Sequence, residues 1–272
     1  MTSETSITID KFEDYLKTTR EQLQQGRKYF RGQPRLASDG YRLIPSIGRY
    51  PNFVKMDAQT RAALEQKVLQ IFDNHLITYV DHLPRDEWEK LAIAQHHGLP
   101  TRFMDLTTNP LAALYFAIRD TEQDCDGNDV DSAVYVLLRD IPRYYDIKRE
   151  WEDKIEKEKK AIKSPKQSRQ KTQQIETPSI LSPFTIDRNI IYDPPHVSPR
   201  IRVQDSVLLA CHQPVVELPE QDYVEIIIKH ETHADFRDRL DHYGLFDKQL
   251  FPGLEGIARW LKYRVFETDG WV

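Results

Sequence analysis

Residues 101–118 read TRFMDLTTNPLAALYFAI and divide into a short extended half and a helical half. Asn109 and Pro110 mark the start of a helix, because proline at the first helical position loses only a donor that would have no partner in any case. Residues 111–118 are apolar on nearly every side, which indicates a helix buried in the core. An extended segment that leads into a buried helix is therefore the centre of the predicted fold.

Further elements are indicated on both sides of this segment. We predict helices over residues 9–25, 57–83, 86–98, 231–242 and 253–264, and strands near residues 29–30, 132–138, 206–210 and 223–229. The helix at 57–83 has one apolar stripe, which we expect to be buried: Leu64, Val68, Ile71, Phe72, His75, Leu76, Tyr79 and Val80. The elements lack the regular alternation and the glycine-rich turn of a dinucleotide-binding fold. We therefore predict an α+β fold with a mixed, mainly antiparallel central β-sheet flanked by helices.

The composition indicates a soluble protein of the cytoplasm. The chain has 272 residues, of which 38 are basic and 43 acidic, so it lacks the basic excess typical of a general nucleic-acid binder. Cys125 and Cys211 stand in unrelated contexts, which fits a reducing compartment and argues against a structural zinc site. We find neither a signal peptide nor a run of roughly 20 apolar residues, and expect no membrane association. Residues 149–177 are rich in charge and predict a solvated, mobile insertion.

The first candidate site is the segment YFRGQ at residues 29–33, where a strand delivers an arginine beside a glycine. Arg31 offers a planar fork of donors that suits phosphate or carboxylate. Gly32 allows another chain or a ligand to approach the backbone closely. The alternative is structural, because an arginine at a strand end also pairs with an acid or caps a carbonyl.

The second candidate is residues 95–110, where many polar side chains lie between apolar helices. Buried polar groups need partners, so these side chains bind either one another or a ligand. In the first case Asp105 bonds Arg102 or Arg31, and Thr107 or Thr108 lies near the helix cap. Metal binding is not expected: neighbouring histidines on a helix diverge, and the pair His230 and His233 lacks the zinc-protease spacing. A hydrolase with a histidine base and Asp105 as its orienting group lacks a nucleophile.

A third piece, residues 198–209, has Arg200, Arg202 and Gln204 immediately before a strand, and on its own indicates a surface strand edge. Together the three pieces resemble the FRG domain family, which is named for its Phe-Arg-Gly tripeptide and occurs mainly in bacteria and phages. The resembling motifs are Phe30 to Gln33, Gln95 to Arg102 with Asp105, Thr107 and Asn109 to Ala117, then Arg200 to Gln204 and Leu250 to Gly256. The resemblance spans residues 29–261.

A more distant similarity is to mono-ADP-ribosyltransferases of the Arg-Ser-Glu type, and it implies an ADP-ribosyltransferase-like fold and NAD as cofactor. It implies that Arg31 holds the pyrophosphate, that Thr107 or Thr108 supports the nicotinamide ribose, and that Gln204 lies beside the scissile bond. The candidate catalytic residues are Arg31, Gln33, His97, Asp105, Thr107 and Gln204. The candidate cofactor-binding residues are Arg31, Gly32, Gln95, His96, Thr101, Arg102, Thr108 and Asn109.

One departure bears on the reaction. Ser206 stands where these transferases carry their catalytic glutamate, so either Asp105 or Asp205 substitutes, or the protein binds a nucleotide without transferring it. The transferase hypothesis assigns a protein or nucleic-acid acceptor and a toxic or protective role in conflict between bacteria and phages. One alternative is a regulatory partner that docks through residues 151–174. The other is a nucleotide- or nucleic-acid-binding module whose positive groove is formed by Arg31, Arg35, Arg49, Arg102, Arg200 and Arg202. We expect an N-terminal helix within residues 1–28, the FRG domain over 29–264 and a tail over 265–272.

Overall fold

The computed structural model describes residues 6–80, 83–120, 122–138, 140–162, 181–194 and 203–268. Within these residues, a seven-stranded mixed sheet has one parallel pairing, between the strands that come first and last along the chain, and is otherwise antiparallel. Helices flank the sheet, so the α+β prediction is confirmed. None of the helices in these ranges is long and apolar enough to cross a membrane.

The strands are β1 (Ser6–Ile9), β2 (Phe30–Gln33), β3 (Phe103–Thr107), β4 (Ser132–Leu137), β5 (Ile190–Tyr192), β6 (Ser206–Ala210) and β7 (Tyr223–Ile228). They lie in the order β1-β7-β4-β2-β3-β6-β5. The helices are α1 (Phe12–Gln24), α2 (Pro51–Val54), α3 (Ala58–Leu76), α4 (Glu87–His96), α5 (Pro110–Ile118), α6 (Tyr144–Ile162), α7 (His233–His242), α8 (Asp247–Leu250) and α9 (Leu254–Lys262). Of the predicted insertion, α6 is described, and residues 163–177 lie outside the described ranges.

Helix α5 forms as its sequence predicts. The Asn109 side chain accepts hydrogen bonds from the N–H groups of Leu111 at 3.0 Å and Ala112 at 3.3 Å, which supplies partners for two donors at the helix start. The helix is buried against β2, and the hydroxyl of Tyr15 on α1 donates to the Pro110 carbonyl at 2.6 Å. This bond fixes the start of α5 relative to the N-terminal helix.

Helix α3 differs from its prediction in both length and buried face. It ends at Leu76, and its buried residues are Glu65, Leu69 and Leu76. Ile71 and Tyr79, both assigned to the buried stripe, are 53% and 83% exposed. The periodicity misplaced the face because an acidic residue lies at its centre, and apolar spacing does not reveal a buried carboxylate that has a cationic partner.

The sheet opens between β2 and β3. These strands share one register pair, Phe30 with Thr107, whereas β2 pairs with β4 over four residues and β3 with β6 over five. Strands that share a single pair separate beyond it, because no backbone hydrogen bonds hold them at the usual spacing. The separation leaves room for side chains between two neighbouring strands.

Gly32 is the point at which α5 packs most closely on the sheet. A β-carbon there would lie 1.9 Å from the Ala113 carbonyl oxygen and 2.7 Å from the Ala117 nitrogen. Both are helix backbone atoms, which cannot move aside as the end of a flexible side chain does. The close approach expected at this glycine is therefore made by a helix of the same chain.

We expect Gly32→Ala to lower the free energy of unfolding by about 1–3 kcal/mol or more, because the added methyl group overpacks a rigid contact. Chemical denaturation of the two proteins measures the difference. Ser38→Ala, an exposed change in the following loop, serves as the control and should stay within about 0.5 kcal/mol of the parent. Equal stability of Gly32→Ala and the parent would contradict the packing described here.

Candidate functional site

A cleft of about 360 Å³ opens where β2 and β3 separate, between helices α4 and α5. Seven of the residues named from the sequence line it: Arg31, Gly32, Gln95, His96, Asp105, Thr107 and Gln204. They come from three stretches that lie far apart in the chain. The fold therefore brings part of each sequence candidate to one concave surface.

Arg31 lies at the centre of the cleft with a half-buried side chain. Its Nε donates to Gln33 Oε1 at 3.2 Å, and its Nη1 donates to the carbonyl oxygen of Asp105 at 2.7 Å. Burial lowers the pKa of Arg31 from its usual value, and the Asp105 carboxylate partly offsets this effect. Among the described residues, its hydrogen bonds thus go to neutral groups, and its charge remains available to an anion.

Asp105 is an exposed carboxylate of the cleft, and Gln95 orients it. The Gln95 Nε2 donates to Asp105 Oδ2 at 3.0 Å, and the Gln95 Oε1 accepts a bond from Thr101 Oγ1 at 2.6 Å. Thr101 is buried, so the chain of bonds runs from the interior to the cleft surface. This arrangement fixes the position of a negative charge beside the Arg31 guanidinium.

Thr107 and Gln204 line the cleft with polar groups that already have partners. The Thr107 hydroxyl donates to the Gln204 carbonyl at 2.8 Å and accepts from the Asn109 N–H at 3.0 Å. The Gln204 Nε2 donates to the Leu250 carbonyl at 2.9 Å. These contacts give both side chains a structural role at the base of the cleft.

Six candidates do not line the cleft: Gln33, His97, Thr101, Arg102, Thr108 and Asn109. Gln33 is buried and donates to the Tyr41 carbonyl at 2.7 Å, which holds the loop after β2. Asn109 caps α5, and Thr101 supports Gln95. His97 and Thr108 are exposed, and His97 is the residue that follows the last turn of α4.

Arg102 forms a buried ion pair with Glu65 of α3. Its Nε donates to Glu65 Oε2 at 2.6 Å and its Nη2 to Oε1 at 3.1 Å, while Nη1 donates to the Pro183 carbonyl at 2.8 Å. Burial raises the pKa of Glu65, and the hydrogen bonds and charge of Arg102 counteract that rise. All three donating nitrogens of Arg102 are therefore engaged inside the protein, away from the cleft.

Ser206, placed at the site by the transferase similarity, lines the cleft, whereas two further polar residues of its wall, Arg119 and Asp120, were not predicted. The Arg119 Nε donates to Asp120 Oδ2 at 2.6 Å, and its guanidinium lies 5.8 Å from the ring centre of Phe116. Phe116 and Arg119 are one turn apart on or just after α5, and both line the cleft. Their three-residue spacing was the available signal, because such residues share a helix face.

The described part of the third candidate, residues 203–209, lies elsewhere in the sheet than predicted. Strand β6 pairs with β3 on one side and β5 on the other, and four of its five residues are buried. The prediction of a surface strand edge was therefore wrong, because β5 was not anticipated. Arg200 and Arg202 lie outside the described residues.

His230 and His233, considered together as metal ligands, have different partners. His233 is buried, and its Nε2 lies 3.0 Å from the Ser132 hydroxyl; burial lowers its pKa. Potential ligand atoms of Asp131, His230 and Glu231 lie within 4.8 Å of one another. Asp131 already accepts from Lys229 Nζ at 2.8 Å and from the His230 N–H at 3.0 Å.

We expect Arg102→Met to lower the free energy of unfolding by about 3–5 kcal/mol, because it leaves the Glu65 carboxylate buried without its partner. The double variant Glu65→Leu with Arg102→Met should recover most of this loss, since it removes both charges. Urea denaturation of the single and double variants measures the coupling. A double variant no more stable than Arg102→Met would contradict the pairing as the cause.

The comparisons with known proteins bear on the part of the chain that builds most of this cleft. No curated protein and no solved structure matches the chain. The family model of the FRG domain matches residues 26–126, which contain Arg31, Gln95, Asp105 and Thr107, whereas Gln204 lies beyond the match. The resemblance to the FRG domain family is thereby confirmed for residues 26–126.

Proposed function

We propose that the cleft binds NAD and that the protein is an ADP-ribosyltransferase-like enzyme. One observation carries the proposal: the Arg31 guanidinium lies in a polar cleft, and its described hydrogen bonds go to neutral acceptors. The Asp105 carboxylate lies near this half-buried cation, but among the described residues no hydrogen bond joins the two side chains. The guanidinium is therefore favourably placed to receive phosphate, since charge-assisted hydrogen bonds strengthen where water is partly excluded. The pyrophosphate of a dinucleotide supplies such an anion.

The wall opposite Arg31 suits the remainder of a nucleotide. Phe116 presents an aromatic side chain to the cleft, and Arg119 adds a second guanidinium, whose charge Asp120 partly neutralises. Aromatic side chains stack on flat heterocycles with a sequence-tolerant contribution of about 1–3 kcal/mol for nucleic-acid bases. The cleft thus combines an anion site with an aromatic surface, as a nucleotide requires.

Asp105 is the carboxylate we assign to the transfer step. In that step the bond between C1′ of the ribose and the nicotinamide nitrogen breaks, and its electron pair leaves with neutral nicotinamide. A carboxylate beside C1′ stabilises the positive charge that develops on the sugar. The acceptor nucleophile forms the new bond to C1′, and its proton passes to Asp105. Ser206, at the position of the glutamate in the similar transferases, has no carboxylate to do this.

The acceptor is a group on a protein or a nucleic acid. ADP-ribose transfer of this kind is consistent with a toxic or protective role in conflict between bacteria and phages, as the family resemblance implies. That role remains part of the proposal.

The second candidate is a module that binds a nucleotide without transferring it, and the absence of a glutamate at Ser206 favours it. An extended nucleic-acid groove receives less support. Of the arginines assigned to such a groove, Arg102 is paired with Glu65 and Arg35 with Glu122 at 3.2 Å. A gel-shift series at rising salt tests that groove, because phosphate neutralisation makes affinity fall steeply with ionic strength.

We expect NAD at ten times its dissociation constant to raise the melting temperature by about 3–5 °C, because a ligand that binds only the folded state stabilises it. Arg31→Ala should abolish the shift, and Arg31→Lys should retain a small part, since lysine keeps the charge but loses the fork. Each variant is compared with its own ligand-free melting temperature by differential scanning fluorimetry.

Arg42→Ala is the matched control, because Arg42 is an exposed arginine outside the cleft residues. Its NAD shift should equal that of the parent protein. No shift of the parent at millimolar NAD, or an undiminished shift in Arg31→Ala, would overturn the binding proposal.

We expect Asp105→Asn to slow nicotinamide release from NAD by about 10²–10⁴-fold, while the NAD-induced shift is retained. The substitution keeps the size of the side chain and an acceptor for Gln95, so it removes little besides the charge. Chromatographic detection of nicotinamide, with water or the protein itself as acceptor, measures the rate.

Asp120→Asn provides the control, because it removes another carboxylate of the same cleft. It should leave the rate within a few-fold of the parent. NAD binding without detectable nicotinamide release by the parent would favour the non-catalytic module. Equal rates for Asp105→Asn and the parent would remove Asp105 from the mechanism.

A further inference from the structure

A second pocket, of about 280 Å³, lies between α2, α3 and the segment that follows α4. Its wall is almost entirely apolar and includes Ile47, Phe53, Met56, Leu64, Val68 and Leu99. Leu64 and Val68 are one turn apart on α3 and only half-buried, so they contribute an apolar helix face to the pocket. This pocket is separate from the cleft of Arg31 and has a different chemical character.

The buried polar side chains of the wall are Glu65 and Thr101, and both are committed to partners within the protein, whereas Tyr50 and Asn52 are exposed to solvent. Both carboxylate oxygens of Glu65 accept from Arg102, and the Thr101 hydroxyl donates to Gln95. A polar ligand would therefore lose its hydration here without gaining equivalent hydrogen bonds. The wall selects a hydrocarbon group.

A cation stands beside the pocket. Arg61 Nη1 donates to the carbonyl of Met56 at 2.7 Å, and its guanidinium lies 6.0 Å from the ring centre of Phe53. Met56 and Phe53 both line the pocket, and Arg61 lies one turn before Leu64 on the same helix. Its described hydrogen bonds go to backbone carbonyls, and the nearby Glu65 carboxylate is hydrogen-bonded to Arg102, so the Arg61 guanidinium can attract a ligand carboxylate.

The size of the pocket agrees with this chemistry. An apolar cavity of roughly 150 Å³ stays dry and holds a molecule of benzene, so a pocket of nearly twice that volume accepts a longer hydrocarbon chain. An apolar wall with one available cation at its side is complementary to an amphiphile that carries a single negative charge.

We propose that this pocket binds a medium-chain aliphatic carboxylate, with the hydrocarbon chain against α3 and the carboxylate on Arg61. The assignment does not depend on the function proposed for the cleft. Its occupant is a small molecule, and a second copy of the chain is the competing occupant.

Isothermal titration of the full-length protein with decanoate, below the micelle concentration, tests the proposal. We expect saturable binding of both decanoate and the uncharged analogue decanol. Val68→Trp, which fills the pocket, should abolish both. Arg61→Gln should weaken decanoate about tenfold, the loss of one charge-assisted hydrogen bond, and leave decanol unchanged.

Lys67→Gln is the matched control, because it removes one positive charge from an exposed position of the same helix. It should bind decanoate as the parent does. Where Val68→Trp fails to fold, displacement of an apolar fluorophore from the parent by decanoate supplies the measurement. The proposal would be overturned if the parent showed no saturable binding, or if Lys67→Gln and Arg61→Gln lost decanoate affinity equally. Dimers detected by light scattering that mask the pocket would also overturn it.

Discussion

The hydrogen bond from the Arg31 guanidinium to the Asp105 carbonyl is the contact on which the site depends. Beyond the pair of Phe30 with Thr107, β2 and β3 share no further register pair, and this side chain bridges the gap between them. A guanidinium has five N–H donors, so it can bridge the strands and still present donors to the cleft. The Arg31 side chain that bridges the opening in the sheet therefore also places a positive charge in the cleft.

The segment between α4 and β3 divides its polar side chains between two tasks. Arg102 bonds the buried Glu65, and this contact anchors the start of β3 to α3. Thr101 donates to the side chain of Gln95, which in turn donates to the Asp105 carboxylate. Buried polar groups need partners, and both sets of contacts supply them within the chain. Because Thr101 also lines the apolar pocket, this one segment forms part of that pocket and, through Gln95, supports a carboxylate of the cleft.

Helix caps could be predicted from the sequence, whereas pairs between side chains far apart in the chain could not. The caps by Asp86 and Asn109 follow from residue type and position, so α4 and α5 began where predicted. The partner of Arg102 lies 37 residues away on α3, and no local pattern identifies it. The same limit applies to Gly32: the tripeptide signals a close approach, but only the packing shows that α5 is what approaches. Arg102 was assigned to the ligand for this reason, although it pairs with Glu65 inside the protein. Gln33, Thr101 and Asn109 were also assigned to the ligand, but they bond residues two to eight positions away along the chain.

The turn before β6 shows how residues far along the chain support the cleft. Asp205 has a φ of 46°, a left-handed conformation that is uncommon for residues other than glycine. Three hydrogen bonds hold the turn: Thr107 to the Gln204 carbonyl, the Thr108 N–H to the Asp205 carbonyl, and Gln204 to the Leu250 carbonyl. The Gln204 amide nitrogen is engaged with Leu250, and its Oε1 accepts from the Ser206 hydroxyl at 3.4 Å, so Gln204 positions Ser206 at the cleft wall. The Leu250 carbonyl thus holds the turn that carries two residues of the cleft wall, Gln204 and Ser206.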